Sequence, residues 1–336
     1  MLSLPLLNPF FPLSSSSSSS TAVDFPVAAA CRKSKHLKPS SLFLVRQLKA
    51  RVLHGQDAST EDENLEGQEF RVLTAVRSDY NEIVIVDTPK SRILLLDSTQ
   101  NIHSMSNRGE KWTGAYWDEF ASLPAIVPQG PIGILGLGGG TVAHLMLDLW
   151  PSLKLEGWEI DRILIDKARE YFGLSDLEKC TEVGGVLHVH VGDALSSSAT
   201  VDGGFSGIIV DLFSDGKVLP ELQEVSTWLE MSSRLMPHGR IMVNCGGNHV
   251  ETSIIRDGIT FPELSANDGA WVQNSTITAL CKAFPGNLSW KRMAKADGEN
   301  YLALTGPLPD LNAWSAIVPD YLSSSVKQWR PCGPVA

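Results

Sequence analysis

The sequence predicts an α/β protein: a doubly wound sheet of parallel strands and amphipathic helices, preceded by a small domain of β-hairpins. Three observations predict it. Between Phe70 and Asp97 short β-rich runs are separated by turn signals at Ser78-Asp79 and Thr88-Pro89-Lys90-Ser91. After the break at Pro128-Gln129-Gly130-Pro131, apolar strands alternate with amphipathic helices, the pattern of a parallel sheet with helices on its faces. The strand Ile134-Leu135 then runs straight into Gly136-Leu137-Gly138-Gly139-Gly140 and a helix, which is how such sheets present a ligand site at the carboxyl ends of their strands.

Taken in order, residues 1–50 differ from all that follows. They hold a seven-serine run from Ser14 to Ser20, six Lys or Arg and a single acid, Asp24. This is the composition of a transit peptide, and the serine tract and early prolines favour a chloroplast address over a mitochondrial one. The apolar start from Leu2 to Leu13 is too short to span a membrane and is broken by three prolines. Residues 51–68 are polar and acidic and read as a solvated linker. The hairpin domain occupies 69–106, with strands at Phe70 to Val76, Glu82 to Asp87 and Arg92 to Asp97. A connecting segment, 107–130, carries a helix from Trp112 to Leu123, ended by Pro124.

The ligand-binding α/β domain spans 131–306. Strands are expected at Ile132 to Leu135, Leu155 to Glu159, Leu187 to Val191, Gly207 to Asp211, Arg240 to Asn244 and Tyr301 to Leu304. Helices are expected at Thr141 to Leu149, Arg162 to Tyr171, Val225 to Leu235 and Gln273 to Phe284. The tail, 307–336, carries no readable chemistry.

Composition excludes several functions. Without residues 1–50 the charge falls from −10 to about −15, which disfavours nucleic acid and tolerates cationic partners. The cysteines Cys31, Cys180, Cys245, Cys281 and Cys332 show no CxxC spacing and are odd in number, so reduced thiols are expected and no zinc cluster. His188 and His190 alternate within a strand and read as strand residues. Trp112, Tyr116, Trp117 and Phe120 lie at helical spacing and read as core.

The ligand site is assembled from consecutive strand ends. Glycines in the loop allow a tight turn and close approach of the backbone, which a Cβ would block. The dinucleotide fingerprint fails at its last place, Thr141. Glu159 ends the second strand roughly twenty residues past the loop, where a carboxylate accepts ribose hydroxyls. Gly192-Asp193 ends the third, positioned to receive an adenine amino group, and Asp211 ends the fourth. Each acid taken singly also suits an ordinary turn. No P-loop lysine is present, and acids near a sulfonium attract where they would repel phosphates. The pattern therefore favours a phosphate-free adenosyl ligand, S-adenosyl-L-methionine. Trp158 either covers the adenine or fills the sheet, and Asn244 to Asn248 form a turn on the ligand edge.

At this point the chain resembles the spermidine synthases and their methyltransferase-like relatives, over about Phe70 to Leu304. Tyr80-Asn81-Glu82-Ile83 resembles that family's YQNI, Leu94-Leu95-Leu96-Asp97-Ser98 its LVLDG, Tyr116 to Pro124 its YQEMLAHLP, and Glu159-Ile160-Asp161 its EID. The resemblance implies a Rossmann-like methyltransferase domain behind the hairpins, with Gly136, Gly138, Gly139, Gly140, Thr141, Glu159, Asp193 and Asp211 around the cofactor. It adds Gln100, beside the position where the family's glutamine falls, Asn101. It also implies a small-molecule acceptor, an amine in the parent chemistry, and a homodimer.

Departures from the family narrow the chemistry. The GGGDGG aspartate, resembling an anchor for the free amine of decarboxylated S-adenosylmethionine, is Thr141 here. The DSSDP loop is Asp211-Leu212-Phe213-Ser214-Asp215-Gly216, which keeps the first acid and displaces the second. The family's tyrosine before LVLDG is Lys90, a cation where a polyamine should sit, its glutamine-glutamate pair is Trp117-Asp118, and the following histidine is Ser122. These exchanges favour the intact cofactor and methyl transfer, with Asp211 as the catalytic group that orients the nucleophile or takes its proton, or as a partner of the cofactor's amine. Aminopropyl transfer and non-catalytic adenosyl binding are the alternatives.

Overall fold

β-Branched residues on both sides of two tight turns build the first sheet. The computed structural model describes residues 70–99, 101–247, 255–256, 259–260, 274–293 and 300–333. The expected transit segment and linker, Gln100 and Asn248 lie outside the described residues. Strands β1 (Arg71–Arg77), β2 (Glu82–Asp87), β3 (Ser91–Leu95) and β4 (Ser104–Asn107) pair antiparallel in that order. Alternation sends Val84, Val86, Ile93 and Leu95 to one face and Ile83, Ile85 and Leu94 to the other. The second group packs on Leu164 and Phe172, so this sheet sits on a helix of the α/β domain. The β1–β2 turn is pinned there as well: Asn81 Nδ2 donates to Asp161 Oδ2 at 2.8 Å, and Ser78 Oγ donates to the same oxygen.

The expected helix from Trp112 is shorter than its apolar spacing suggests. Helix α1 covers Trp117–Phe120 and passes into a 3-10 turn, Leu123–Ile126. Gly114 at φ +68° turns the chain just before it, and the Asp118 carboxylate accepts from the amides of Thr113 and Gly114, which fastens that turn outside the helix.

The second sheet is laid down by β5 (Ile132–Leu135), β6 (Lys154–Glu159), β7 (Val186–Val191), β8 (Phe205–Val210) and, after a short β9–β10 hairpin (Phe213–Ser214, Lys217–Val218), β11 (Leu235–Asn244). Its helices are α2 (Thr141–Leu149), α3 (Arg162–Tyr171), α4 (Leu174–Leu177), α5 (Val225–Ser233) and, past the two-residue strands β12 (Ile255–Arg256) and β13 (Ile259–Thr260), α6 (Ser275–Ala283). Spatial order is β16-β14-β15-β11-β8-β5-β6-β7, where β14 is Leu288–Arg292, β15 Tyr301–Thr305 and β16 Arg330–Pro331. The five strands from β11 to β7 are parallel; β14, β15 and β16 are antiparallel. The doubly wound sheet of parallel strands is thus present, extended by antiparallel strands into a mixed sheet. No helix separates β14 from β15 among the described residues, and a parallel neighbour requires such a crossover.

One core lies between the sheet and α2, α3 and the C-terminal helices α7 (Leu311–Ile317) and α8 (Asp320–Ser323), and the other under α5 and α6. The tail contributes to the first: Trp314 and Trp329 are buried, and Trp314 Nε1 donates to the Ser122 carbonyl at 2.9 Å. Lys291 and Glu119 form a buried ion pair at 2.7 Å beneath it, with Ser325 on both. Cys281 and Cys332 are joined as a disulfide, which overturns the expectation of reduced thiols for that pair. Their 51-residue separation hides the contact, created when β16 folds back onto β14 beside α6. Among the described residues no helix is long and apolar enough to cross a membrane.

Candidate active site at the switch point of the sheet

β5 is the strand from which the chain runs outward in both directions, to β6 and β7 on one side and β8 and β11 on the other. A crevice at the carboxyl ends follows from that reversal. Backbone bonds lace these ends together: Gly192 N to Glu159 O at 2.9 Å, Gly136 N to Trp158 O at 3.1 Å, and Asp211 N to Leu135 O at 2.9 Å. Gly136 stands at φ +91°, and a Cβ there would lie 2.2 Å from the Asp211 carbonyl. Glu159, Asp193, Asp211 and the glycine loop therefore share one edge.

The acids differ in setting. Glu159 is buried; its Oε2 accepts from Gly138 N at 3.0 Å and its Oε1 from Asp161 N at 3.1 Å. Burial pushes its pKa up, and these amides oppose the rise. Asp193 is exposed beyond β7, with Oδ1 accepting from Leu195 N. Asp211 accepts Tyr116 Oη on Oδ2 and Asn244 Nδ2 on Oδ1, each at 3.0 Å. Desolvation raises its carboxyl pKa, while hydrogen bonds from Asn244, Tyr116 and Trp117 pull it back. The Tyr116 phenol is held well above its ordinary value, by burial first and then by the Asp211 charge.

The loop glycines meet protein on their open sides. A Cβ on Gly139 would fall 2.8 Å from Ser104 Cβ, and Ser104 Oγ accepts Gly139 N at 2.7 Å. Gly140, at φ +87°, faces Leu174. The Thr141 hydroxyl accepts from Met105 N at 2.8 Å and donates to Met105 O at 3.0 Å, so it is turned to β4 and ties that edge strand to α2. Lys90 is exposed in the β2–β3 turn.

Four residues join the site that sequence reasoning placed elsewhere or passed over. Tyr116 was expected in an apolar stripe; Trp117 and Phe120 do fill the core, but its hydroxyl reaches Asp211. Asn244, expected as part of a turn, is the second partner of Asp211. Asp97 and His103 face each other, Nε2 to Oδ2, at 3.4 Å. Burial alone would raise the Asp97 pKa, yet bonds from His103 and Thr99 outweigh it and bring it down to about 2. The β9–β10 hairpin closes on this loop, since a Cβ on Gly216 would lie 2.8 Å from Thr99 Cγ2. Beside Cys245 and Gly247 opens a cavity of ≈ 630 Å³, lined also by Lys217, Gln223 and Asn274.

One alternative left open in the sequence is resolved. Trp158 fills the sheet, edge-on to Phe205 and stacked on His190. His188 and His190 both bind the Glu156 carboxylate on the outer face of β7, and no metal-binding group of His, Cys, Asp or Glu occurs among the described residues. Chemically, the crevice offers carboxylate acceptors for ribose hydroxyls and an exocyclic amine. Glu159 and Asp193 there would repel phosphates, so an adenosyl group without them fits.

No family model matches the chain. A probable polyamine aminopropyl transferase of Bifidobacterium longum is 24% identical over 168 residues, 50% of this chain and 36% of that protein. A human eEF1A lysine and N-terminal methyltransferase is 27% identical over 135 residues, 36% of this chain and 18% of that protein. The chain thus spans little more than a third of the first relative and under a fifth of the second. The solved spermidine synthase from Thermotoga maritima superposes with a TM-score of 0.51 at 15% identity, covering 70% of this chain and 72% of that one. The chain has a spermidine synthase-like fold.

Proposed function

We propose that this chain is an S-adenosyl-L-methionine-dependent transferase that moves a methyl group to a small plastid metabolite. The observation that carries the reading is the juxtaposition of Glu159, Asp193 and Asp211 with the glycine loop along one strand edge. Bound there, S-adenosyl-L-methionine supplies a methyl carbon made electrophilic by the sulfonium. Glu159 holds the ribose and Asp193 the adenine amine. Asp211, held by Tyr116 and Asn244, presents negative charge to the acceptor, and the cavity beside Gly247 receives the acceptor's body. Positioning of this kind is the main contribution an in-line displacement requires.

Thr141 supports the intact cofactor over its decarboxylated form. Its hydroxyl is bonded to Met105, and no carboxylate stands at that position to hold a free ammonium. Aminopropyl transfer to a polyamine is the second reading, favoured by the bacterial relative's name and by the outward position of Lys90. Calorimetry of the full chain with S-adenosylhomocysteine, S-adenosyl-L-methionine and its decarboxylated form tests both. Binding with preference for the carboxylated ligand is expected; reversed preference refutes methyl transfer, and absence of binding refutes both. Label transfer from methyl-tritiated cofactor to small amines, thiols and phenols then identifies the acceptor class, and Asp211→Asn should depress it.

A further inference from the structure

We propose that His103, oriented by Asp97, is the base that takes the acceptor's proton; the assignment rests on the transfer reading above. Asp97 is itself fixed, its Oδ1 accepting from the amide and the hydroxyl of Thr99. Its Oδ2 faces Nε2 of His103 at 3.4 Å. A carboxylate on one ring nitrogen draws the proton there and leaves the lone pair on the other. That other atom, Nδ1, is buried and has no hydrogen-bond partner among the described residues. A buried acceptor without a donor needs an explanation, and a substrate N–H or O–H supplies one.

The position suits the role. The His103 carbonyl lies 3.6 Å from where a Gly138 Cβ would stand, and the next residue, Ser104, rests on Gly139. On the other side the same loop touches the β9–β10 hairpin, which follows Asp211 in the chain, through Thr99 and Asn101. The loop that carries His103 therefore spans from the glycine loop to the hairpin that follows Asp211, and Asp97 is the ionisable group that faces the imidazole. Asp211 is less suited to accept the proton, because each of its oxygens already receives a hydrogen bond. It is better placed to hold the acceptor and stabilise the imidazolium.

The step balances as a displacement. The acceptor's lone pair forms the new bond to carbon, the carbon–sulfur pair returns to sulfur, and the acceptor's proton passes to Nδ1 of His103. Asp97 stabilises the resulting cation without accepting the proton, since it remains ionised down to about pH 2.

The test uses the full chain labelled with ¹⁵N-histidine, its His103 signal assigned by loss in His103→Gln. Expected is a neutral ring protonated on Nε2 with a bare Nδ1, and a mixed tautomer in Asp97→Asn. With the acceptor found above, His103→Gln should slow transfer by about 10²–10⁴-fold while S-adenosylhomocysteine binds as in the wild type, and added imidazole should restore part of the rate in His103→Gly. Asp97→Asn should change the pH profile of kcat with KM little affected. A proton on Nδ1 in the wild type, or transfer by His103→Gln at the wild-type rate, overturns the assignment while leaving the transfer reading intact. Failure of S-adenosylhomocysteine to bind the wild type removes both.

Discussion

Replacing Thr141 by valine isolates the contact between the glycine loop and the hairpin domain. Valine keeps the branched shape and removes only the hydroxyl, which serves both the amide and the carbonyl of Met105 on the free edge of β4. Each hydrogen bond is worth about 1 kcal/mol net, and each buried polar group left without a partner costs about 1–3 kcal/mol. Thr141 is 6% exposed, so water reaches its side poorly, while half-buried Met105 recovers part of the loss. The expected destabilisation is ~2–4 kcal/mol, or roughly 4–16 °C in Tm for a domain of this size. Thr141→Ser keeps both bonds and loses one methyl, about 1 kcal/mol. Urea denaturation of the full chain, with m unchanged, measures the difference, and S-adenosylhomocysteine affinity is measured beside it. A Thr141→Val loss below about 1 kcal/mol, or a tenfold loss of ligand affinity in a variant that remains folded, would refute the tether and restore Thr141 to the cofactor.

Asp97 gives an acid dependence with a defined sign. Its folded pKa is depressed to about 2, so its stabilisation is present above the ordinary carboxylate range and is lost as pH falls towards 2. That contribution is on the order of 2 kcal/mol at neutral pH, and Asp97→Asn should flatten the stability curve between roughly pH 4 and 2. Lys291→Met leaves Glu119 charged and unpaired in the core and should cost about 3–5 kcal/mol by the same denaturation assay, with Glu119→Gln added to it recovering much of the loss. Alkylation of the native chain without reductant should mark exposed Cys180 and spare Cys281 and Cys332; labelling of either in the native state would contradict the disulfide. A reporter carrying residues 1–50 should enter isolated chloroplasts and be shortened there, and retention outside them would refute the plastid address.

What was legible in the sequence shares one physical property: it is local. The strands from Ile132 to Val191 announce themselves by apolar runs of a few residues, and the glycine loop by its position between a strand and a helix. The acids at 159, 193 and 211 follow from the same register. What was missed depends on contacts far apart in the chain. Tyr116 and Asp211 are 95 residues apart, Asn244 and Asp211 33, and the paired cysteines 51. Tyr116 also obeys the helical spacing of its apolar neighbours, so nothing in the pattern separates the residue that points into the crevice from those that fill the core. His103 and Asp97 are close in sequence, yet their meeting depends on the turn between β3 and β4.

Position 141 and strand β4 are best understood as one change. β4 is the last strand of the first sheet, and a free strand edge presents amide and carbonyl groups that need partners. A threonine hydroxyl serves both, because it donates and accepts through one atom. An ionised aspartate accepts only, and would set its charge against the Met105 carbonyl. An aspartate at this place, as in the spermidine synthase pattern the sequence resembles, would therefore be at odds with β4 as it sits here. Ser104 reinforces the point, since its side chain covers Gly139 and takes that amide for itself. The Thr141 hydroxyl and the closure of β4 onto the loop thus depend on each other, and Thr141→Asp without movement of β4 would leave a buried carboxylate facing a carbonyl.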